Sequence, residues 1–251
     1  QVFPGPPVHG AGGQAHLPRF MGQGPEVRVG GGVGRPALRA ENGYRGGKEH
    51  QEVNEKIQSA LQGGAQAIRI EMQEARIPDV SMLEEVLHGI PLQELELHFR
   101  GCLAADAIYS SLCKLASQRG TPVSQLKGSL GADPLGMMAK TGIPIAGFEN
   151  IGRLVLKVKE ASPEMKVIDI KGPLIQNSGA NLVEDLAFTL AMASEYMAIL
   201  TEQGIDPVIA KDALIMTLAS GPKYFMEITK LRAARILWVK IAQAYGVETS
   251  R

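Results

Sequence analysis

The stretch MKVIDIKGPLIQNSGANLVEDLAFTLAMASEYMAILTEQG, residues 165–204, carries the clearest fold signal in this chain. It opens at 165–170 with an apolar, β-branched run that is typical of a buried strand. Apolar residues then recur at helical spacing from Leu182 onward, and Gly204 provides the stop. We therefore predict a strand, a loop at 171–180 and a long helix. Ligands of parallel α/β folds bind at the end of the sheet where this loop lies.

The start of the long helix has its own local signature. Asn181 is a favourable N-cap residue, and Glu184 follows at the spacing of a capping box. Glu184 and Asp185 also suit the positive end of the helix dipole. These residues predict that the helix begins directly after Asn181.

The alternation of strands and helices extends over most of the chain. Strands are predicted for AQAIRIEM, LELHF, VSQLKGSL and, weakly, DALIMTLAS. Helices are predicted for HQEVNEKIQSALQGG, SMLEEVLHG, AADAIYSSLCKLASQRG, IGRLVLKVKEA, a short segment through Met137 and Met138, and a final stretch from about Tyr224 to Tyr245. Repeated units of this size predict a parallel sheet with right-handed crossovers. Six units are recognisable, whereas eight would close a barrel.

The N-terminal segment has a different composition. Residues 1–50 hold 13 of the 29 glycines and 6 of the 15 prolines, so we predict a Gly/Pro-rich irregular leader over residues 1–40. PEVRVGG is its best strand candidate. GAGGQA matches a loose dinucleotide-binding pattern, but no strand precedes it and no helix follows, so we predict no nucleotide site there.

Charge and cysteine content exclude several function classes. Lys plus Arg and Asp plus Glu number 26 each, which argues against nucleic acid or an acidic membrane surface as the partner. The two cysteines have no metal-binding spacing, and the chain lacks both an 18-residue apolar run and signal-peptide features. We therefore expect a cytoplasmic protein with reduced cysteines.

Two long blocks resemble a known family. NSGANLVEDLAFTLAMASEYMAIL at 177–200 and GPKYFMEITKLRAARILWVKIAQAYG at 221–246 resemble the barrel domain of methylmalonyl-CoA mutase, an adenosylcobalamin-dependent isomerase. LKGSLGADPLGMMAKTG at 126–142 is more similar to the non-catalytic small subunit of the two-chain bacterial enzymes than to their catalytic chain. The resemblance covers about residues 41–251. It implies an α/β fold, specifically a (β/α) TIM-type barrel with about six βα units. The barrel is expected to be incomplete, because the family continues into two further strands after the final helix.

The resemblance also implies that most substrate-binding groups have been replaced. The catalytic chain has a tyrosine and a thioester-binding histidine where this chain has Pro173 and Leu174. Its other substrate- and coenzyme A-binding side chains, which include two arginines and a glutamine, correspond here to Ser129, Gly131, Thr141, Ala213 and Ile215. Small or apolar side chains cannot replace polar groups that fix a charged thioester. Only Ser129 and Gln176 stay as candidate substrate-binding positions, both as remnants, and we predict no catalytic residue and no metal ligand.

The family resemblance further implies a cofactor and a partner that lie outside this chain. The cobalt-binding histidine of the family lies in an Asp-x-His-x-x-Gly box, and none of the five histidines here has that setting. We therefore expect no cofactor bound by this chain alone and adenosylcobalamin in a partner chain. The expected partner is a catalytic mutase chain in a heterodimer, in which this chain is the accessory subunit or a fragment of it.

Several alternatives stay open at this level. The chain is alternatively a truncated barrel with a structural or binding role, or a free-standing barrel enzyme of other chemistry, although no nucleophile–base or carboxylate pair has useful spacing. His98 is either a ligand or a hydrogen-bonded barrel residue. The charges of KLRAAR form either a subunit-contact patch or a solvated helix face near Glu227. An open sheet also has two edges, which either another chain or the leader must cover.

Overall fold

The computed structural model describes residues 26–29, 37–41, 47–71, 79–100, 104–144 and 148–248. Seven strands of these residues form one sheet in the order β1-β7-β6-β5-β4-β3-β2. The strands are β1 Glu26–Val29, β2 Ala37–Glu41, β3 Ala67–Glu71, β4 Glu96–Arg100, β5 Lys127–Ala132, β6 Met165–Lys171 and β7 Leu214–Ala219. Strands β2 to β7 pair in parallel with their chain neighbours, and β1 pairs antiparallel with β7.

Nine α-helices alternate with these strands in the described part of the chain. They are α1 Gly47–Gln62, α2 Val80–Val86, α3 Ala105–Gln118, α4 Pro134–Thr141, α5 Phe148–Ala161, α6 Gly172–Asn177, α7 Leu182–Glu202, α8 Pro207–Ala213 and α9 Tyr224–Ala244. Each parallel strand is followed by at least one helix. The predicted fold class is therefore confirmed: this is an α/β protein with an incomplete (β/α) barrel. Over the same residues, no helix combines the length and the apolar character that crossing a bilayer requires.

The hydrophobic core lies between the sheet and its helices. On β3 and β4, Ile68, Ile70, Leu97 and Phe99 are buried in the core cluster with side chains of the helices. Successive strand side chains point to opposite faces, so the residues between them, such as His98, line the concave face of the sheet. This alternation places the polar side chains of the strands inside the curled sheet.

The long helix α7 begins as predicted. Asn181 Oδ1 accepts hydrogen bonds from the backbone N–H groups of Val183 and Glu184, and Glu184 Oε2 accepts one from the N–H of Asn181. Both halves of the capping box are therefore formed: the Asn181 side chain accepts from the helix backbone, and the Glu184 side chain accepts from the backbone of Asn181. Gly204 follows the helix with φ +80°, a conformation that favours glycine.

Three local predictions were wrong. The loop predicted at 171–180 contains the short helix α6, because Pro173 fits a first helical turn, where no backbone N–H is needed. Strand β5 begins at Lys127 and not at Val123, because residues 123–125 form a 3-10 turn. The helix α8 was missed, although Asp206 caps it through the N–H of Val208.

The N-terminal segment contributes two strands to the sheet. PEVRVGG contains β1, as predicted, whereas β2 had no predicted counterpart. β1 runs along the open edge of β7, from Glu26 opposite Ala219 to Val29 opposite Met216. The expectation that the leader covers an edge of the sheet is confirmed at this edge.

Candidate functional site

The concave face of the sheet carries a row of polar side chains across three strands. Arg69 of β3 lies in register with His98 of β4, and His98 lies in register with Ser129 of β5. His98 Nδ1 is 2.9 Å from Ser129 Oγ, and His98 Nε2 is 3.5 Å from a carboxylate oxygen of Glu96. His98 and Ser129 are both buried. His98 is therefore a hydrogen-bonded barrel residue, which answers one of the alternatives left open by the sequence.

A second polar pair lies further along the same sheet. Thr217 of β7 donates from Oγ1 to Asp169 Oδ1 of β6 over 2.8 Å, and both residues are buried. Like His98 and Ser129, Asp169 and Thr217 are joined by a side-chain hydrogen bond between two strands of the sheet. Buried polar groups that are paired in this way stabilise the strands that they join.

Asp133 joins four elements at the C-terminal end of β5. Its Oδ1 accepts hydrogen bonds from the N–H of Gly136 in α4 and from the hydroxyl of Tyr196 in α7, at 3.0 and 2.9 Å. Its Oδ2 accepts from the backbone N–H of Lys171 at the end of β6, at 3.3 Å. Complete burial raises the pKa of Asp133, and the nearby Lys171 opposes the shift. Asp133 is thus also the N-cap of the following helix α4.

Lys230 forms a buried ion cluster at the C-terminal end of β7. Its Nζ lies 3.0 Å from Asp185 Oδ2, 2.8 Å from Glu227 Oε2 and 2.6 Å from the carbonyl oxygen of Ala219, and the side chain is 1% exposed. Glu227 Oε1 accepts the N–H of Gly221 at 3.0 Å. Burial raises the pKa of Asp185, and the Lys230 ammonium opposes this shift. The cluster fixes the turn between β7 and α9 against the start of α7.

This cluster corrects one sequence interpretation. The charges of KLRAAR were treated as one exposed set, yet Lys230 points inward and Glu227 pairs with it, while Arg232 and Arg235 are exposed. The signal was present in the sequence, because Glu227 and Lys230 are three positions apart and share one face of α9. Periodicity alone did not reveal that this polar face is the buried one.

Ser129 and Gln176, the two predicted substrate-binding residues, have different neighbours in the described structure. Ser129 is fully buried and contacts His98, whereas Gln176 lies on α6, half-buried, near the Gly221 turn. Gln176 Oε1 is buried and has no hydrogen-bond partner among the described residues. A substrate-binding role for these two residues stays a prediction.

Four of the positions at which the family resemblance implies a lost binding group have apolar side chains here. Pro173 is buried in the first turn of α6, and Leu174 next to it is half-buried. Ala213 is buried at the end of α8, and Ile215 follows on β7. These four positions therefore carry no charged or hydrogen-bonding side chain.

The three described histidines lie in different parts of the fold. His50 is buried on α1, with its Nδ1 2.7 Å from Glu85 of α2, and His98 is enclosed by the barrel. His88 is exposed beside Glu84, 3.7 Å away. His9 and His16 lie outside the described residues. No group of three or more His, Cys, Asp or Glu side chains in the described part of the chain has the arrangement of a metal site.

Comparison with known proteins identifies a family match over most of the chain. The methylmalonyl-CoA mutase family profile matches residues 72–251. The methylmalonyl-CoA mutase small subunit of Streptomyces virginiae is 29% identical over 195 residues, which are 78% of this chain and 32% of that protein. The small subunit of Porphyromonas gingivalis is 28% identical over 197 residues, with the same coverage of 78% and 32%.

The large subunits are also similar to this chain. The methylmalonyl-CoA mutase large subunit of Streptomyces virginiae is 28% identical over 179 residues, which are 70% of this chain and 24% of that protein. This chain thus spans about a third or less of the length of the curated relatives it matches.

Proposed function

Since this chain belongs to the methylmalonyl-CoA mutase family, we propose that it is the barrel part of an accessory mutase subunit. In this proposal a partner chain carries out the interconversion of methylmalonyl-CoA and succinyl-CoA. The partner also binds adenosylcobalamin, which supplies the radical chemistry of the isomerisation. This chain contributes a stable barrel and a contact surface, and it acts in the cytoplasm.

One observation supports the proposal: several buried polar side chains of this barrel are paired with one another or with the backbone. Ser129 is bonded to His98, Asp169 to Thr217, and Asp133 to three other elements. A catalytic barrel needs convergent polar groups that are free to meet the substrate. Here the comparable groups hold strands and helices together, and Leu174 occupies the position where the catalytic chain has a histidine. This arrangement supports a structural role within an enzyme.

The proposal is tested by co-purification and reconstitution. The chain, carrying an affinity tag, is expressed alone and together with a cobalamin-binding catalytic mutase chain. We expect the pair to co-purify at a fixed stoichiometry and to convert methylmalonyl-CoA into succinyl-CoA. We expect the chain alone to show no turnover and no tight adenosylcobalamin binding, as followed by absorbance after gel filtration.

The outcomes separate the accessory role from its rivals. Turnover by this chain in the absence of a partner would show that it is itself a catalyst. A folded chain that never associates with a catalytic mutase chain would remove the accessory-subunit proposal. In that case the alternative of a barrel with a separate structural or binding role would replace it.

A further inference from the structure

Lys159 lies in the last turn of α5, and a backbone carbonyl holds its amine. The side chain is half-buried, and Nζ donates a hydrogen bond to the carbonyl oxygen of Pro163 over 2.8 Å. A carbonyl oxygen is uncharged, so this bond fixes the amine in place without the charge compensation that a carboxylate gives. A neutral amine can donate the same hydrogen bond, so the position of Nζ does not depend on its charge.

Two nearby lysines differ from Lys159 in this respect. Lys157, on the same helix, has its Nζ 2.8 Å from Asp106 Oδ1 of α3. Lys211 of α8 has its Nζ 3.3 Å from Asp212 Oδ1. A direct ion pair favours the charged form of an amine, and a charged ammonium has no lone pair with which to attack an electrophile. Of these three lysines, Lys159 is therefore the one suited to nucleophilic chemistry.

The charges around Lys159 belong to β6, to the turn before it and to α8. Burial, and next the ammonium of Lys166 on β6, lower the pKa of Lys159 to about 8, while Asp212 of α8 and Glu164 of the turn oppose that shift. The carbonyl end of α5 also favours the charged form. At a pH equal to this pKa about half of the Lys159 amines are neutral, whereas an amine with the usual pKa of 10.5 is almost fully charged.

We propose that Lys159 is a site of acylation at Nζ by acyl-coenzyme A thioesters. A lysine that is desolvated and lies beside another cation is the kind that proteins use as a nucleophile. The lone pair of the neutral amine attacks the thioester carbonyl carbon, a C–N bond forms and the C–S bond breaks. The nitrogen releases one proton to solvent and the leaving thiolate takes one up, so amine and thioester become an amide and a thiol.

The positive charges beside Lys159 favour a donor that carries phosphate groups. Lys166 acts on Lys159 from β6, and Lys211 lies on the neighbouring helix α8. Ammonium groups attract phosphate, and coenzyme A carries phosphates on its nucleotide. Acylation in turn removes one positive charge, which leaves Glu164 and Asp212 with fewer counter-charges. This modification requires no partner chain, so it is independent of the proposed function.

The test incubates the purified chain with acetyl-coenzyme A at pH values between about 6.5 and 9.5 and quantifies acetylation of each lysine by peptide mass spectrometry. Lys56, which is exposed on α1, is the reference. At about pH 7.5 we expect the initial rate at Lys159 to exceed that at Lys56 by about tenfold or more. The rate at Lys159 should level off above about pH 8, whereas the rate at Lys56 should continue to rise.

Two variants should move the pH profile of Lys159 in opposite directions. Lys166→Gln removes the neighbouring cation, so acetylation of Lys159 should slow several-fold near neutral pH and its profile should shift to higher pH. Glu164→Gln removes an opposing anion, so the profile should shift to lower pH. Lys56→Gln is the matched control and should leave the rate at Lys159 unchanged. Circular dichroism melting should show that all three variants remain folded.

Three results would overturn the proposal. The first is a rate at Lys159 no higher than the rate at Lys56. The second is a pH profile of Lys159 that neither Lys166→Gln nor Glu164→Gln moves, as expected of an ordinary surface lysine. The third concerns the donor: an acetyl thioester without phosphate groups should modify Lys159 with less preference over Lys56, and an equal preference would overturn the choice of coenzyme A thioesters.

Discussion

At the residue scale, Asp133 shows how a barrel can place a carboxylate at its ligand-binding end for a structural purpose. It accepts backbone N–H groups from Gly136 and Lys171 and the hydroxyl of Tyr196. These bonds tie β5, β6, α4 and α7 together at one point. A buried carboxylate with several donors stabilises its surroundings more through the donors it satisfies than through its charge.

We predict a pH-dependent effect of Asp133→Asn. The substitution replaces one accepting carboxylate oxygen with an amide NH2 group, which then faces groups that are themselves donors. It should therefore lower the free energy of unfolding by about 1–3 kcal/mol. Because burial raises the pKa of Asp133 above its usual value of 3.8, the folded wild type binds a proton more readily than the unfolded chain. The contribution of Asp133 to wild-type stability therefore rises as pH falls through its folded pKa toward 3.8.

Urea denaturation of both proteins between neutral and acidic pH measures this difference. The stability deficit of Asp133→Asn should be larger near the acidic end of the range than at neutral pH. A deficit that shrinks on acidification would mean that the carboxyl is held ionised in the folded protein.

At the element scale, glycines on β5 set how closely that strand approaches β4. Gly131 has φ +73°, and a Cβ added there would collide with the carbonyl oxygen of Phe99 on β4. Gly128 is in the same situation against Leu97. The register shift between Ser129 and Ala132 lies in this segment. The strand therefore needs glycine for both its backbone conformation and its packing.

We predict that Gly131→Ala is far more damaging than Gly142→Ala. Both glycines have positive φ, but a Cβ at Gly142 meets nothing within 4 Å. Gly142→Ala should cost about 1–2 kcal/mol for the left-handed conformation alone. Gly131→Ala should cost about 3–5 kcal/mol or prevent folding, because backbone atoms of β4 must move. Thermal melting of the two variants compares them directly, and similar losses would contradict a close β4–β5 approach.

At the scale of the whole molecule, the sheet is finished by a strand from the N-terminal segment. β1 pairs antiparallel with β7 along the edge at which a further parallel strand would add. An exposed edge is a site for pairing with other chains, so covering it protects the fold. The pairing joins residues that are 187 to 193 positions apart in the chain.

We predict that proline in β1 uncovers the edge of β7. The double variant Val27→Pro/Arg28→Pro loses two adjacent backbone N–H groups. Successive amides of a strand point in opposite directions, so one of these two N–H groups points toward β7 in the wild type. Amide hydrogen exchange should accelerate between Met216 and Ala219, while β4 and β5 in the sheet centre stay protected. Val27→Ala/Arg28→Ala keeps both N–H groups and is the matched control. Unchanged exchange in the proline variant would show that β1 does not protect β7.

The sequence by itself determined the alternation of elements and their local ends. The β-branched run at 165–170, the capping box of Asn181 and Glu184, and the stop at Gly204 each depend on neighbours within a few residues. Such short-range signals are sufficient because helix periodicity and capping are local properties. The same reasoning missed α8 and β2.

Only the tertiary structure decided which polar residues are internal. Lys230 and Glu227 look like surface charges in the sequence, and their burial becomes possible only because Asp185, 45 positions earlier, lies opposite them. His98 and Ser129 meet through strand register, and β1 reaches β7 through the whole length of the chain. Long-range contacts of this kind compensate the cost of desolvating a charge or a polar group, and no local pattern records them.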